Sequence, residues 1–479
     1  MTIRAQEYIQ SILVSTDNHF TGTESKEEQE KRWHSILADV KDLYREIVSF
    51  YNYWSAYKND TGEISDEMMR HIVESQMFYL VRGNRYQIFQ LEPLKRLLPP
   101  HNDVLVELFG VTADQIIEGL EKLEYSLSQG FADAWMEFCE SVELGTDFEE
   151  ATEDARDSMD TIVEKTFGEA LNDISRVTGW DARLIDALSL SVGECKTFFD
   201  GSEFSGWPIM ELPTKRKPFI KIDGISYAFD YYSLFDNIYR ALQKEIFRLK
   251  PQYVEEWNKR QKRASEDMVK TLFLNLLPGA TAYTENYYPL RQSIKHMTEN
   301  DLLITYENYL FIIEIKAGSF PQTPPIIDFE AHINAYTKLV QEADSQCSRT
   351  LKYISEHQPA PFYNSPIDKQ KKFEINISDY QEVFLFSVTV DNFNEFAARA
   401  EKLNIITLSS KTIVISYDDL LVYEKYFDSP IYFLHFLKQR KTAIGIPQIA
   451  VNDELGHLGM YIKHNMYSIT ASEFPEDKM

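Results

Sequence analysis

No apolar run in the sequence approaches the ~18 residues a membrane-spanning helix needs, so no transmembrane helix is expected. Cysteine is scarce: Cys139, Cys195 and Cys347 lie far apart and form no CxxC pair. That spacing excludes a thiolate zinc site and a disulfide framework, and it fits a reducing, cytoplasmic setting. The opening residues MTIRAQEYIQSILVSTD hold only a short apolar run and no small-residue cleavage pattern, and they do not read as a signal peptide. Internal repeats and low-complexity tracts are absent. Positive charge is also short, with 49 Lys and Arg against 75 Asp and Glu and a formal charge of −26.

An acidic total argues against a nucleic-acid partner, because phosphates are drawn to positive surface. Its distribution is uneven. Residues 137–160 hold ten acidic side chains and one base, Arg156, whereas residues 214–263 hold twelve Lys or Arg and six Asp or Glu. Screening over about 8 Å keeps two such fields apart, so a phosphate-binding surface is permitted. A chain of 479 residues, 44% hydrophobic and 13% aromatic, is long and apolar enough for several buried cores.

Residues 1–210 read as a helical region. Trp33, Ile36, Leu37, Val40, Leu43, Tyr44, Ile47 and Phe50 recur at helical spacing, a helix over 91–98 should stop at Pro99-Pro100, and Thr112 with Gln115 has the form of a capping box. The acidic stretch 137–160 reads as a solvated helix face plus loop, or a partner-binding surface. Prolines and glycines in 201–218 mark a boundary. Residues 214–252 then form a connecting module: a hairpin turning at Asp223-Gly224 and a helix over 232–247. From 253 to 430 the expected order is helix (to about 277), strand near 280–288, strands 301–306 and 309–316, helix 328–356, strand 382–390, helix 392–403 and strand 412–416. The last part, 431–479, reads as a helical extension with a weakly structured tail. The fold class is therefore multidomain, α plus α/β.

The segment from Asp301 to Lys316 carries the chemistry. If Glu307-Asn308 is a two-residue hairpin turn, Tyr306 faces Tyr309, Asp301 faces Glu314 and Glu299 faces Lys316. Lys316 is two residues beyond Glu314 and shares its face. Both faces of this hairpin are apolar near the turn, with charge gathered only at the open end, so the sheet should be covered on both sides. Two carboxylates ~5 Å apart repel by about 3 kcal/mol at an effective dielectric of 20, and a hard divalent ion beside a lysine relieves that. The plainer alternative is a cross-strand Glu299–Lys316 pair with a stray acid at a sheet edge.

An Asp opening one strand, an ExK closing the next, a preceding helix with a Glu and a following helix with a Gln resemble the PD-(D/E)xK nuclease superfamily, closest to its Mrr-like, restriction-endonuclease-like branch. The likeness covers roughly residues 253–430, with its motifs inside 266–349. Asn300-Asp301 stands where the family often has Pro-Asp, while Glu314-Ile315-Lys316 matches in full. The resemblance implies an αβββαβ core. Glu266 supplies the upstream acid, since at ~100° per residue it falls about 20° from Phe273 on the buried side; a solvated helix-edge glutamate is the alternative. Gln346, within Glu342-Ala-Asp-Ser-Gln346-Cys-Ser-Arg349, is preferred to Gln341 as the downstream glutamine.

By the same resemblance, Asp301, Glu314 and the backbone carbonyl of Ile315 hold Mg²⁺, with Mn²⁺ able to substitute and Glu266 ligating directly or through water. Lys316 orients the attacking hydroxide and stabilises negative charge, and Gln346 orients Lys316 or a phosphate. Lys259, Arg260, Lys262 and Arg263 are candidates for contacting the nucleic-acid backbone, or else a solvated helix surface. The implied function is metal-dependent phosphodiester hydrolysis, of DNA rather than RNA, in restriction or antiphage defence. Alternatives are an RNA or tRNA nuclease and a catalytically silent assembly protein that docks a partner, or a second copy, through its helical half. A rival metal set, Asp453, Glu454, His457 and His464, matches no known spacing, and Gly456 and Gly459 suggest a turn there.

Overall fold

In a computed structural model, the described residues are 2–17, 25–80, 85–143, 161–162, 164–165, 169–201, 204–291, 293–391, 394–402 and 405–473. The chain divides into two compact units, one of residues 1–57 and 75–260, the other of residues 58–74 and 261–479. Among the described residues, no helix is long and apolar enough to cross a membrane.

The first unit is mainly helical. Its 35-residue helix Lys26–Asp60 buries Val40, Tyr44, Ile47 and Tyr51 but leaves Trp33 and Phe50 exposed, so only the middle of the apolar stripe is covered within the unit. Thr112 and Gln115 form the expected reciprocal cap. The Pro99-Pro100 pair ends the helix Glu92–Leu97, but a 3₁₀ turn carries the chain directly into Asn102–Phe109. Of the acidic stretch, the part up to Glu143 completes the helix Phe131–Glu143, and 144–160 lie outside the described residues. A small sheet joins β1 (Ser189–Ser191), parallel to β2 (Phe219–Ile222), which is antiparallel to β3 (Ile225–Tyr227). The β2–β3 turn places Asp223 and Gly224 at φ 50° and 87°, the left-handed pair such a turn demands. β1 is too short to show an alternation of its own.

The second unit holds a seven-stranded mixed sheet: β4 (Thr281–Arg291), β5 (Ser293–Tyr306), β6 (Tyr309–Lys316), β7 (Ala360–Tyr363), β8 (Lys371–Ile375), β9 (Glu382–Thr389) and β10 (Thr412–Ser416), in the order β10-β9-β6-β5-β4-β7-β8. β4, β5 and β6 form an antiparallel meander. β6 runs parallel to β9, and β9 to β10. Parallel neighbours need a long crossover, and the helix Glu342–Glu356 lies in that connection. It covers one face, where Cys347 and Ile354 pack on Leu303, Leu310, Ile312 and Leu385. On the other face, the Phe273 ring of the upstream helix Val254–Leu276 lies 5.9 Å from Phe311 and 5.3 Å from Phe386. Both faces of the hairpin are thus covered, and its charges can collect only at the open end.

Four expectations need correction. β5 begins at Ser293, because the stretch before Asp301 pairs with β4. The helix expected over 328–356 is interrupted by a π turn at Thr337–Gln341. The β7–β8 hairpin gave too weak an alternation to be foreseen. The single helix that the spacing predicts over 420–440 is broken by Pro430 into Tyr417–Tyr426 and Pro430–Ala443, and the tail is helical over Glu454–Lys463 and Tyr467–Ser472, with Gly456 and Gly459 inside a helix instead of a turn.

Candidate metal centre

The hairpin register places every charged group. Tyr306 pairs with Tyr309 and Leu302 with Ile313 around Glu307-Asn308, with Glu307 at φ 49°. Past Leu302 side chains take over from the backbone ladder. Asp301 Oδ2 accepts the Ile315 N–H at 2.9 Å, and Asn300 Nδ2 donates to Glu314 Oε1 at 2.9 Å and to the Ile313 carbonyl at 3.2 Å. The ladder ends at Leu302–Ile313, which puts Asp301 and Glu314 next in register across the hairpin. Glu314 is fully buried. Burial first, and the Asp301 charge second, push its carboxyl well above the usual range, against the pull of Lys316.

Lys316 Nζ lies 4.0 Å from Glu314 Oε2 and donates to Gln346 Oε1 on the crossover helix. Gln341 is elsewhere, accepting the Thr407 N–H at 3.3 Å, so the glutamine brought to the lysine is Gln346. Arg349, one turn beyond Gln346, donates to the Tyr288 hydroxyl at 3.4 Å.

Glu299 does not meet Lys316. The β5 backbone there pairs with β4, Glu299 opposite Tyr287, and its carboxylate turns to the upstream helix. That helix buries Val269, Leu272, Phe273 and Leu276, and Glu266, one to two turns earlier, is buried with them at 5% exposure. Glu266, Glu299 and Asp301 each offer a carboxylate oxygen, all within 4.8 Å of one another. Glu266 Oε1 is shielded from solvent and accepts no hydrogen bond. Burial, then the Asp301 charge, raise the Glu266 carboxyl to about 7. Three close carboxylates with an unsatisfied buried oxygen suit a hard, oxygen-seeking divalent cation.

The basic cluster of the same helix divides. Lys259 and Arg263 are exposed, and Arg263 borders a cleft of ≈ 300 Å³ with Glu266, Asp267, Lys270, Thr284 and Glu285. Arg260 is held at 2.6 Å by both Asp103 and Glu256 inside the first unit. Lys262 turns to the acids: its Nζ is 2.9 Å from Glu299 Oε2, 3.5 Å from Glu266 Oε1 and 3.7 Å from Asp301 Oδ1. Partial burial works against its charge, but the Glu299 hydrogen bond and the charges of Asp301 and Glu266 outweigh that and strengthen its hold on the proton.

Sequence reasoning gave Glu299 no ligand role and Lys262 only a phosphate role. The signals were present: Glu299 has the same strand parity as Asp301, and Lys262 lies four residues before Glu266 on one helix. The rival set near the C-terminus is not brought together as a metal group among the described residues. Glu454 is gripped by Arg440 Nε at 2.8 Å, the His457 ring meets the Tyr467 hydroxyl at 3.0 Å, Asp453 caps Gly456 and His464 is exposed.

No family model, curated protein or solved structure matches the chain.

Proposed function

We propose that this protein is a metal-dependent nuclease of the PD-(D/E)xK kind, built on a restriction-endonuclease-like core and acting in the cytoplasm on DNA in preference to RNA, with restriction or antiphage defence as its setting. The observation that carries the reading is the convergence of Glu266, Glu299 and Asp301 within 4.8 Å, with Glu314 against Asp301 and a glutamine-held lysine two residues further along β6. The order helix, β4, β5, β6, crossover helix, β9 supports it, with the β7–β8 hairpin inserted before β9 and β9 parallel to β6.

Asp301, Glu314, Glu266 and the Ile315 carbonyl would hold Mg²⁺ or Mn²⁺, with Glu299 added to the notional set by its position. When bound, such an ion lowers the pKa of a coordinated water and offsets charge on the phosphate oxygens. The chain's own residues do the rest. Gln346 fixes the Lys316 ammonium, which then stands ready to orient a nucleophile and stabilise negative charge at the attacked phosphate. Asn300 locks the Glu314 carboxylate by donating to one oxygen. Arg263, exposed beside the cleft that Glu266 borders, would meet a phosphate backbone, and Lys259 is a second exposed candidate.

The test is cleavage of plasmid and labelled oligonucleotides with Mg²⁺ by wild type and Glu314→Ala. Cleavage of DNA that needs the ion and falls about 10²–10³-fold or more in the variant supports the reading. Cleavage of RNA alone would move the substrate, and no cleavage of either would leave the fold as a binding scaffold.

A further inference from the structure

The cation nearest the three carboxylates belongs to the protein. Lys262 Nζ lies within 3.7 Å of an oxygen from each of Glu299, Glu266 and Asp301. It makes one hydrogen bond of ordinary length, to Glu299, and two longer ion pairs. An ammonium contributes three donors from a flexible four-carbon stem and no fixed fork. It neutralises the cluster without satisfying it, as the buried Glu266 Oε1 with no hydrogen bond attests. Half of the Lys262 side chain is exposed, against 7% for Glu266 and 13% for Asp301. All three acids, Glu299 at 23% included, are more buried than the lysine, which has open solvent behind it.

We propose that Lys262 is a tethered competitor for the divalent ion: it occupies the carboxylate cluster in the metal-free protein and must swing out before the ion binds, so that this residue sets the ion concentration at which the site fills. This inference rests on the metal-site reading above. The carboxylates cannot surround an ammonium and a divalent cation at once, because like charges at such separations repel strongly in a partly buried site. A binding-competent state that is populated only part of the time weakens the apparent affinity by that fraction. Removing the lysine therefore tightens ion binding. Once displaced, its ammonium would lie near the exposed Arg263, where a phosphate backbone would approach.

The test is calorimetric titration of the full chain with Mn²⁺, without nucleic acid, for wild type, Lys262→Met, Lys262→Arg and Lys270→Met. Lys270→Met removes the same charge about two turns along the same helix from a lysine paired with Asp267. Lys262→Met should bind Mn²⁺ about tenfold more tightly, the scale of one partly exposed ion pair strengthened by two further carboxylates. Lys262→Arg should stay near wild type, and Lys270→Met should move little. Equal tightening in Lys262→Met and Lys270→Met would reduce the effect to general charge and overturn the proposal. Mn²⁺ binding that is unchanged or weaker in Lys262→Met would overturn it while leaving the metal site standing. No Mn²⁺ binding by any of the four proteins would overturn both, and thermal melts of each variant show whether it is folded.

Discussion

Replacing Glu266 by glutamine should stabilise the metal-free protein, and by an amount that depends on pH in a defined way. Burial and Asp301 raise the Glu266 carboxyl from its ordinary 4.5 to about 7. Below the lower value both folded and unfolded chains hold the proton, and the residue costs nothing. As pH rises through the window from 4.5 to 7 the unfolded chain releases it first, so stability falls, and above about 7 the full penalty is in place. At about 1.36 kcal/mol per pH unit the displacement corresponds to about 3 kcal/mol. Glutamine keeps the shape and never ionises. In EDTA, Glu266→Gln and wild type should melt nearly together at pH 4.5, and the variant should melt roughly 6–12 °C higher at pH 8 for a unit of this size. With saturating Mg²⁺ at pH 8 the order should reverse, since only the glutamate is a full ligand. A melting difference in EDTA that is flat across pH 4.5–8 would refute the account of Glu266 as a buried acid crowded by a second carboxylate.

Three further outcomes are expected. Gln346→Ala frees the Lys316 ammonium and should lower kcat for metal-dependent cleavage about 10- to 100-fold, with Mn²⁺ affinity by calorimetry unchanged. Glu307→Gly relieves a positive φ that L-residues resist by about 1 kcal/mol and should raise the melting temperature by a few degrees; a fall would show that the turn is held for another reason. Arg440, buried between Glu401 at 2.9 Å and Glu454 at 2.8 Å, leaves two stranded charges when replaced by methionine. That should cost about 3–5 kcal/mol in chemical denaturation.

The central hairpin was legible because three signals agreed on it: a two-residue turn, alternation on both flanking runs, and charges only at the end away from the turn. From these the facing of Asp301 and Glu314 follows by counting. The same counting failed at Glu299, since it assumed one partner strand throughout. β5 at that point belongs to its ladder with β4, and the pairing that governs Glu299 could not be read from β6. Gln346 was separable from Gln341 because the apolar stripe of its helix fixes which side meets the sheet, whereas the π turn at Thr337–Gln341 leaves no mark in hydrophobic spacing. For Lys262 the sequence offers a phosphate contact or a solvated surface, because a helix position tells only which way a side chain leaves the backbone. It does not tell which acids a neighbouring strand will bring to it.

Asp301 spends its two oxygens differently, and that division bears on which ions the cluster can choose. Oδ2 is tied to the Ile315 amide and stitches the hairpin together where its ladder runs out, leaving Oδ1 for a cation. If the site holds an ion as proposed, this carboxylate would offer it one oxygen, unless the strands come unstitched. Large ions such as Ca²⁺, which collect about 6–8 oxygens and often take both from one acid, would be penalised at such a ligand, while small octahedral ions that take one oxygen apiece would not. A bond whose first task is to close a sheet would in this way also act as a ruler for ionic radius.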